Sequence, residues 1–105
     1  GAKDVTISRF FKNIKDVVKL EENNMYHTMA KNQAKSSIDS LYHMLRDAAE
    51  SGFNNLKYTT TWIPKVNTIS MRLIKEHFDK EDVDCKIYSY IDDWGLPNTG
   101  VEFNW

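Results

Sequence analysis

"CKIYSYIDDWGLPNTGVEFNW", Cys85–Trp105, closes the chain. It holds two runs of alternating residues around a centre dense in turn formers. In the first run Cys85, Ile87, Ser89 and Ile91 point one way, and Lys86, Tyr88 and Tyr90 the other. Asp92 to Gly100 supplies Asp, Gly, Pro and Asn, the residues that turns require. In the second run Val101, Phe103 and Trp105 share a face, with Glu102 and Asn104 opposite. Chain ends usually fray and are usually polar. One that closes on alternating large apolar residues has to be held. The pattern predicts an antiparallel hairpin whose last strand sets Val101, Phe103 and Trp105 into the core beneath a helix.

Working back from the hairpin, "DKEDVD" reads as a polar turn. Val66, Ile69, Leu73, Ile74, His77 and Phe78 recur at helical spacing and predict a helix over 66–79. Leu56, Tyr58, Thr60 and Trp62 alternate with Lys57, Thr59 and Thr61, a strand stopped by Pro64. Ala30, Ala34, Ile38, Leu41, Leu45 and Ala48 mark a helix over 26–50, with Gly52 placed for a left-handed cap. Ile7, Phe10, Phe11, Ile14, Val17 and Val18 mark an amphipathic helix over 5–20, which the polar run Glu21-Glu22-Asn23-Asn24 ends or kinks. The small residues of the second helix would let the first approach closely. The expected fold class is α+β, in the order α-α-β-α-β-β, a three-stranded sheet with helices packed on one face. The 105 residues form a single domain, a helical pair over 5–50 followed by a βαββ unit over 55–105. Strands 1 and 2, if parallel neighbours, would be joined by a right-handed crossover.

Composition narrows the class. An apolar fraction of 41% and a charged fraction of 28% are those of a globular chain, so disorder is not the default. No apolar run approaches the ~20 residues of a membrane span, and there is no leader pattern. The single Cys85 excludes an internal disulfide and suits a reducing compartment, so the expectation is a cytoplasmic protein with no membrane contact. The net charge of −1 conceals an uneven layout, +4 over residues 1–80 and −5 over 81–105.

The residues of chemistry are sparse. Three histidines and one cysteine fall short of a zinc set, and Asp82-x-Asp84 lacks the glycine and glutamate of a calcium loop. Cys85 sits mid-strand beside acids, which oppose a thiolate. No serine lies in a nucleophile elbow, and glycines at 1, 52, 95 and 100 make no phosphate loop. Asp92-Asp93 is the best carboxylate pair, with Glu102 as a partner across the hairpin. A short exposed hairpin seldom provides the pocket that separates two pKa values, and turn-initiating aspartates are the simpler reading. No catalytic residue, metal or cofactor is expected, and the chain is read as a non-enzyme.

What remains is surface. Tyr88, Tyr90 and Tyr58 are expected opposite the core face, where they are open unless helix 1 or a second copy covers them. With Trp94 and the acids Asp92 and Asp93 in the loop, Tyr88 and Tyr90 are the candidate protein-binding residues. Arg9, Lys12, Lys15 and Lys19 on the first helix are the candidate contacts to nucleic-acid phosphate, a partner the acids near the aromatics oppose.

The stretch from "SSIDSLYHMLRDAAESG" through "CKIYSYIDDWGLPNTGVEFNW", Ser36 to Trp105 and about two-thirds of the chain, resembles small accessory proteins of tailed bacteriophages. Those carry a helix ending in Ala-Ala-Glu-x-Gly, a strand, a helix and a hairpin closing on an aromatic. The resemblance implies a viral protein acting in the host cytoplasm by binding a host or viral protein, as in blocking a defence or transcription component. It transfers no catalytic residue. A nucleic-acid-binding protein, or a virion assembly component that self-associates, are the alternatives.

Overall fold

The computed structural model describes residues 2–60 and 63–105, with side chains described from residue 12 onward. The elements are α1 (Ala2–Glu50), β1 (Asn55–Tyr58), α2 (Pro64–Lys80), β2 (Cys85–Ile91) and β3 (Pro97–Asn104). The fold is α+β, with the three strands ordered β1-β3-β2 and both helices on one face. Both outer strands run antiparallel to β3. Strands β1 and β2 are therefore parallel to one another but are not neighbours, because β3 lies between them. Of the expected first strand, Thr61 and Trp62 lie outside the described residues.

The two expected N-terminal helices are one. Glu21-Glu22-Asn23-Asn24 continues the helix, since Glu and Asn cost a few tenths of a kcal/mol there and only Pro costs about 3. What changes at this run is the side of the helix that carries the apolar residues. Ile14 and Leu41 are 27 positions apart, about seven and a half turns, so they point to opposite sides. Ala30, Ala34, Ser37 and Leu41 are buried against the domain, whereas residues 12–25 are exposed, Ile14, Val17, Val18 and Met25 among them. A straight helix of 49 residues is about 73 Å long, and the molecule measures 72 Å along its longest axis. Gly52, at φ 87°, closes the helix as expected: its N–H donates to Ala49 O and that of Phe53 to Ala48 O. The small residues Ala30, Ala34 and Ser37 serve approach to α2 and β1, not to a separate first helix.

Helix α2 starts with Pro64, whose fixed φ suits a first helical position. Val66, Met71, Ile74 and Phe78 are buried with Asn67 and Ser70, while Ile69, Leu73 and His77, expected inward, are only partly covered. The core joins Leu41 of α1, Met71, Ile74 and Phe78 of α2, and Val101 and Phe103 of β3. The Phe78 and Phe103 rings meet edge to face at 5.0 Å.

Two expectations fail at the edges of this core. Trp105 is 49% exposed, although its N–H still donates to Asn54 O. Phe78 lies in the last turn of α2 and Phe103 fills the space beneath it, so the next same-face position has no helix above it. Tyr58 is on the helix side, its hydroxyl 2.8 Å from Ser37 Oγ, and not on the open face with Tyr88. Among the described residues no helix is long and apolar enough to cross a membrane.

Candidate functional site

The open face of the sheet is built on a missing side chain. Gly100 stands opposite Tyr88, and the Tyr88 ring lies over it where any Cβ would collide. Lys57 Nζ sits 5.5 Å from the ring centre, and the Tyr90 ring is 5.9 Å away. Burial pushes the Tyr88 phenol up, helped by Tyr90 and Glu102. Gly100→Ala should therefore lift the Tyr88 ring off the sheet and cost about 1–3 kcal/mol. Denaturant unfolding with near-ultraviolet dichroism checks it, and an unchanged aromatic signal with unchanged stability would refute the contact.

Beside this pair, Glu102 accepts a hydrogen bond from Asn55 Nδ2 at 2.9 Å and a charged one from Lys86 Nζ at 3.0 Å. Asn55 and then Lys86 hold its carboxyl below the ordinary 4.5. A group lowered by folding contributes stability above its unfolded pKa, and that contribution is lost as pH falls through the folded value. Asp79, held below 3.8 by Lys75 at 2.8 Å, acts on the same limb. Stability should thus fall as pH drops below about 4.5. Glu102→Gln should flatten part of that slope in urea titrations between pH 6 and 3, and an identical slope would exclude the role.

At the end of the sheet, the β2–β3 turn is tied by one side chain. Asp92 Oδ1 accepts from the N–H groups of Trp94 and Leu96, at 3.0 and 2.9 Å. Gly95 takes φ 75°. Asp92 is thus the turn initiator that its position suggested. Asp93 and Trp94 stand outward, Trp94 75% exposed.

Between this turn and the start of α2 lies a cleft of about 470 Å³. Tyr90, Ile91, Trp94 and Leu96 form one wall, Ile63 and Pro64 the other, and Thr59, Thr60 and Asn98 the floor. Asp92 and Asp93 complete its lining. The floor is fixed: Tyr90 Oη lies 2.8 Å from Thr59 Oγ1, and buried Asn67 donates to Asn98 Oδ1 at 2.7 Å.

Of the five residues picked from sequence, Tyr90, Asp92, Asp93 and Trp94 converge on the cleft, and Tyr88 stands apart on the sheet face. Ile63 and Leu96 were missed. The signal for Leu96 was an apolar pair, Trp94 and Leu96, inside a turn that needs none; Ile63 had no such signal. Of the cationic set, Lys12, Lys15 and Lys19 are exposed on the first half of α1, and the Arg9 side chain lies outside the described residues.

The other chemistry-bearing groups are dispersed. Among the described residues no three potential metal ligands cluster. Cys85 is buried, and burial followed by Asp79 pushes its thiol up, away from a reactive thiolate. Tyr42 Oη meets His77 Nε2 at 2.7 Å on the outer surface of the helices, and hydrogen bonding to Glu81 with partial burial pushes the phenol up to about 12. A phenol so placed keeps its proton through the neutral range. Comparison of the chain with protein-family models, with curated proteins and with solved structures returned no match.

Proposed function

We propose that this protein is a non-enzymatic binding module that docks another protein through the cleft at the β2–β3 turn. The observation that carries the reading is the exposure of apolar side chains around one hollow: Trp94 at 75%, Ile91 at 67%, with Ile63 and Leu96 half open. Side chains of this kind do not stay in water without cost, and Trp is the residue most enriched at binding hot spots. The floor groups that would fix a partner's orientation are already held in place by Asn67 and Thr59. In the setting that the phage-type resemblance suggests, the partner is a host or viral protein met in the host cytoplasm, and binding it would block its work.

Trp94→Ala is the direct test, because the side chain is outside the core and its loss leaves the fold intact. In parallel captures from bacterial lysate, a partner held by the wild-type protein should be lost with a cost of about 2 kcal/mol or more, roughly thirtyfold in affinity. A partner retained equally by the variant overturns the site.

A second reading has one observation of its own. Lys12, Lys15 and Lys19 are exposed and lie within about 60° of one another around α1, a cationic strip fit for phosphate. Nucleic-acid binding there should appear as a gel shift at low salt that weakens steeply at moderate salt, and no shift at low salt removes it.

A further inference from the structure

Among the described residues, the order β1-β3-β2 leaves β2 with a neighbour on one side only. Two hydrogen bonds fix which of its residues face outward. Asp92 N–H donates to Leu96 O at 2.9 Å, and Asn104 N–H donates to Asp84 O at 3.0 Å. Both pairs continue the β2–β3 register, and in an antiparallel ladder bonded and non-bonded pairs alternate. Lys86, Tyr88 and Tyr90 therefore exchange their bonds with β3. Cys85, Ile87, Ser89 and Ile91 turn their N–H and C=O groups to the open edge.

Edges of this length are ordinarily blunted by a bulge, a proline or several charges. Strand β2 has none of these. Its register is one-to-one from Cys85↔Phe103 to Ile91↔Pro97, and its one charge, Lys86, is paired with Glu102. The charges lie just beyond its two ends instead: Asp82 and Asp84 before, Asp92 and Asp93 after. None of the four is in an ion pair among the described residues.

We propose that the outer edge of β2 accepts an extended segment of a partner protein as a fourth strand, a segment about seven residues long with basic residues at both ends. Among the described residues nothing pairs with the outward N–H and C=O groups of Ile87, Ser89 and Ile91, and their spacing is matched by a strand. The four acids select one with basic ends. They also disfavour a second copy of this chain: β2 against β2, antiparallel about Tyr88, would set Asp84 opposite Asp92 of the other copy at both ends. The inference rests on the protein-binding reading and names its partner class, because such a strand would leave the edge at Ile91, beside the cleft and Trp94.

The test uses three synthetic peptides on the full chain. One has seven alternating valines and threonines with two lysines at each end; the second has glutamates in place of the lysines; the third is the first with alternate backbone nitrogens methylated. The lysine-ended peptide should slow amide exchange at Ile87, Ser89 and Ile91 at least tenfold. The glutamate-ended one should bind at least tenfold more weakly, and the methylated one should give no protection. Ser89→Pro removes an N–H that no described residue accepts, so it should keep the melting transition and abolish binding. If Ser89→Pro unfolds the chain, the methylated peptide alone decides.

No protection by the lysine-ended peptide overturns the proposal. So does a dimer of the free protein that Ser89→Pro dissociates, which would give the edge to a second copy. Trp94→Ala capture is independent of these peptides: a partner lost with Trp94→Ala and retained with Ser89→Pro would leave the cleft standing and sink the edge.

Discussion

Phe103→Ala should lower the unfolding free energy by about 3–5 kcal/mol, the usual range for a fully buried phenylalanine. The ring is wholly buried, meets Phe78 edge to face at 5.0 Å, and lies in register with Leu56 on one side and Cys85 on the other. No neighbour can collapse into the space it leaves, since β1 and β2 are pinned to β3 by their ladders and α2 by Ile74 and Met71. Against a total of about 5–15 kcal/mol, such a loss threatens the fold at 37 °C. Trp105→Ala is the control within two residues. Half exposed and past the last strand pair, it should cost less than about 1 kcal/mol. Urea midpoints for the two variants decide the matter. Equal losses, or a small one at Phe103, would mean that β3 is not packed beneath α2.

The contrast between these two residues shows how far alternation can be read. A period of two fixes which face a side chain takes, and Val101, Phe103, Cys85 and Ile87 were legible for that reason. It does not say where the covering helix stops. Trp105 follows the pattern past the end of α2, so its face is of no consequence. The Glu21–Asn24 run was misread on related grounds. A polar interruption in an apolar stripe reports a shift of that stripe, and here it moves half a turn around an unbroken helix. Tyr90 and Trp94 were legible as surface aromatics. The opposite wall of their cleft, Ile63 and Pro64, comes from about thirty residues away, and nothing local in sequence reports a cleft built by tertiary packing. Asn67 and Ser70 were invisible as core for a simpler reason: periodicity counts apolar residues, and buried polar groups are placed by partners distant in the chain.

Asn67 carries the second large effect. Its side chain is wholly buried, and each of its amide atoms is used. Nδ2 donates to Asn98 Oδ1 and to Thr99 O, both at 2.7 Å, and Oδ1 accepts from Thr60 Oγ1 at 2.8 Å. Asn67→Ala should cost about 2–4 kcal/mol, from two or three hydrogen bonds at about 1 kcal/mol each, a Thr60 hydroxyl left without its acceptor and a small void.

Asn67→Asp separates hydrogen bonding from packing, because the volume is kept while the donor is replaced. As a carboxylate it would face two acceptors, Asn98 Oδ1 and Thr99 O, with no cation among its bonded partners. Burial and that geometry would raise its folded pKa. A group raised by folding loses stability as pH climbs from the unfolded pKa to the folded one, and the protonated acid can again donate. Asn67→Asp should therefore be closer to wild type at pH 5 than at pH 7, opposite in sign to the Glu102 effect. Urea unfolding at the two pH values reads this directly, and a pH-independent loss would show that the donor at this position does not matter. Because Asn98 and Thr60 also floor the cleft, both variants should weaken partner capture in proportion to their loss of stability, although Asn67 itself does not line the cleft.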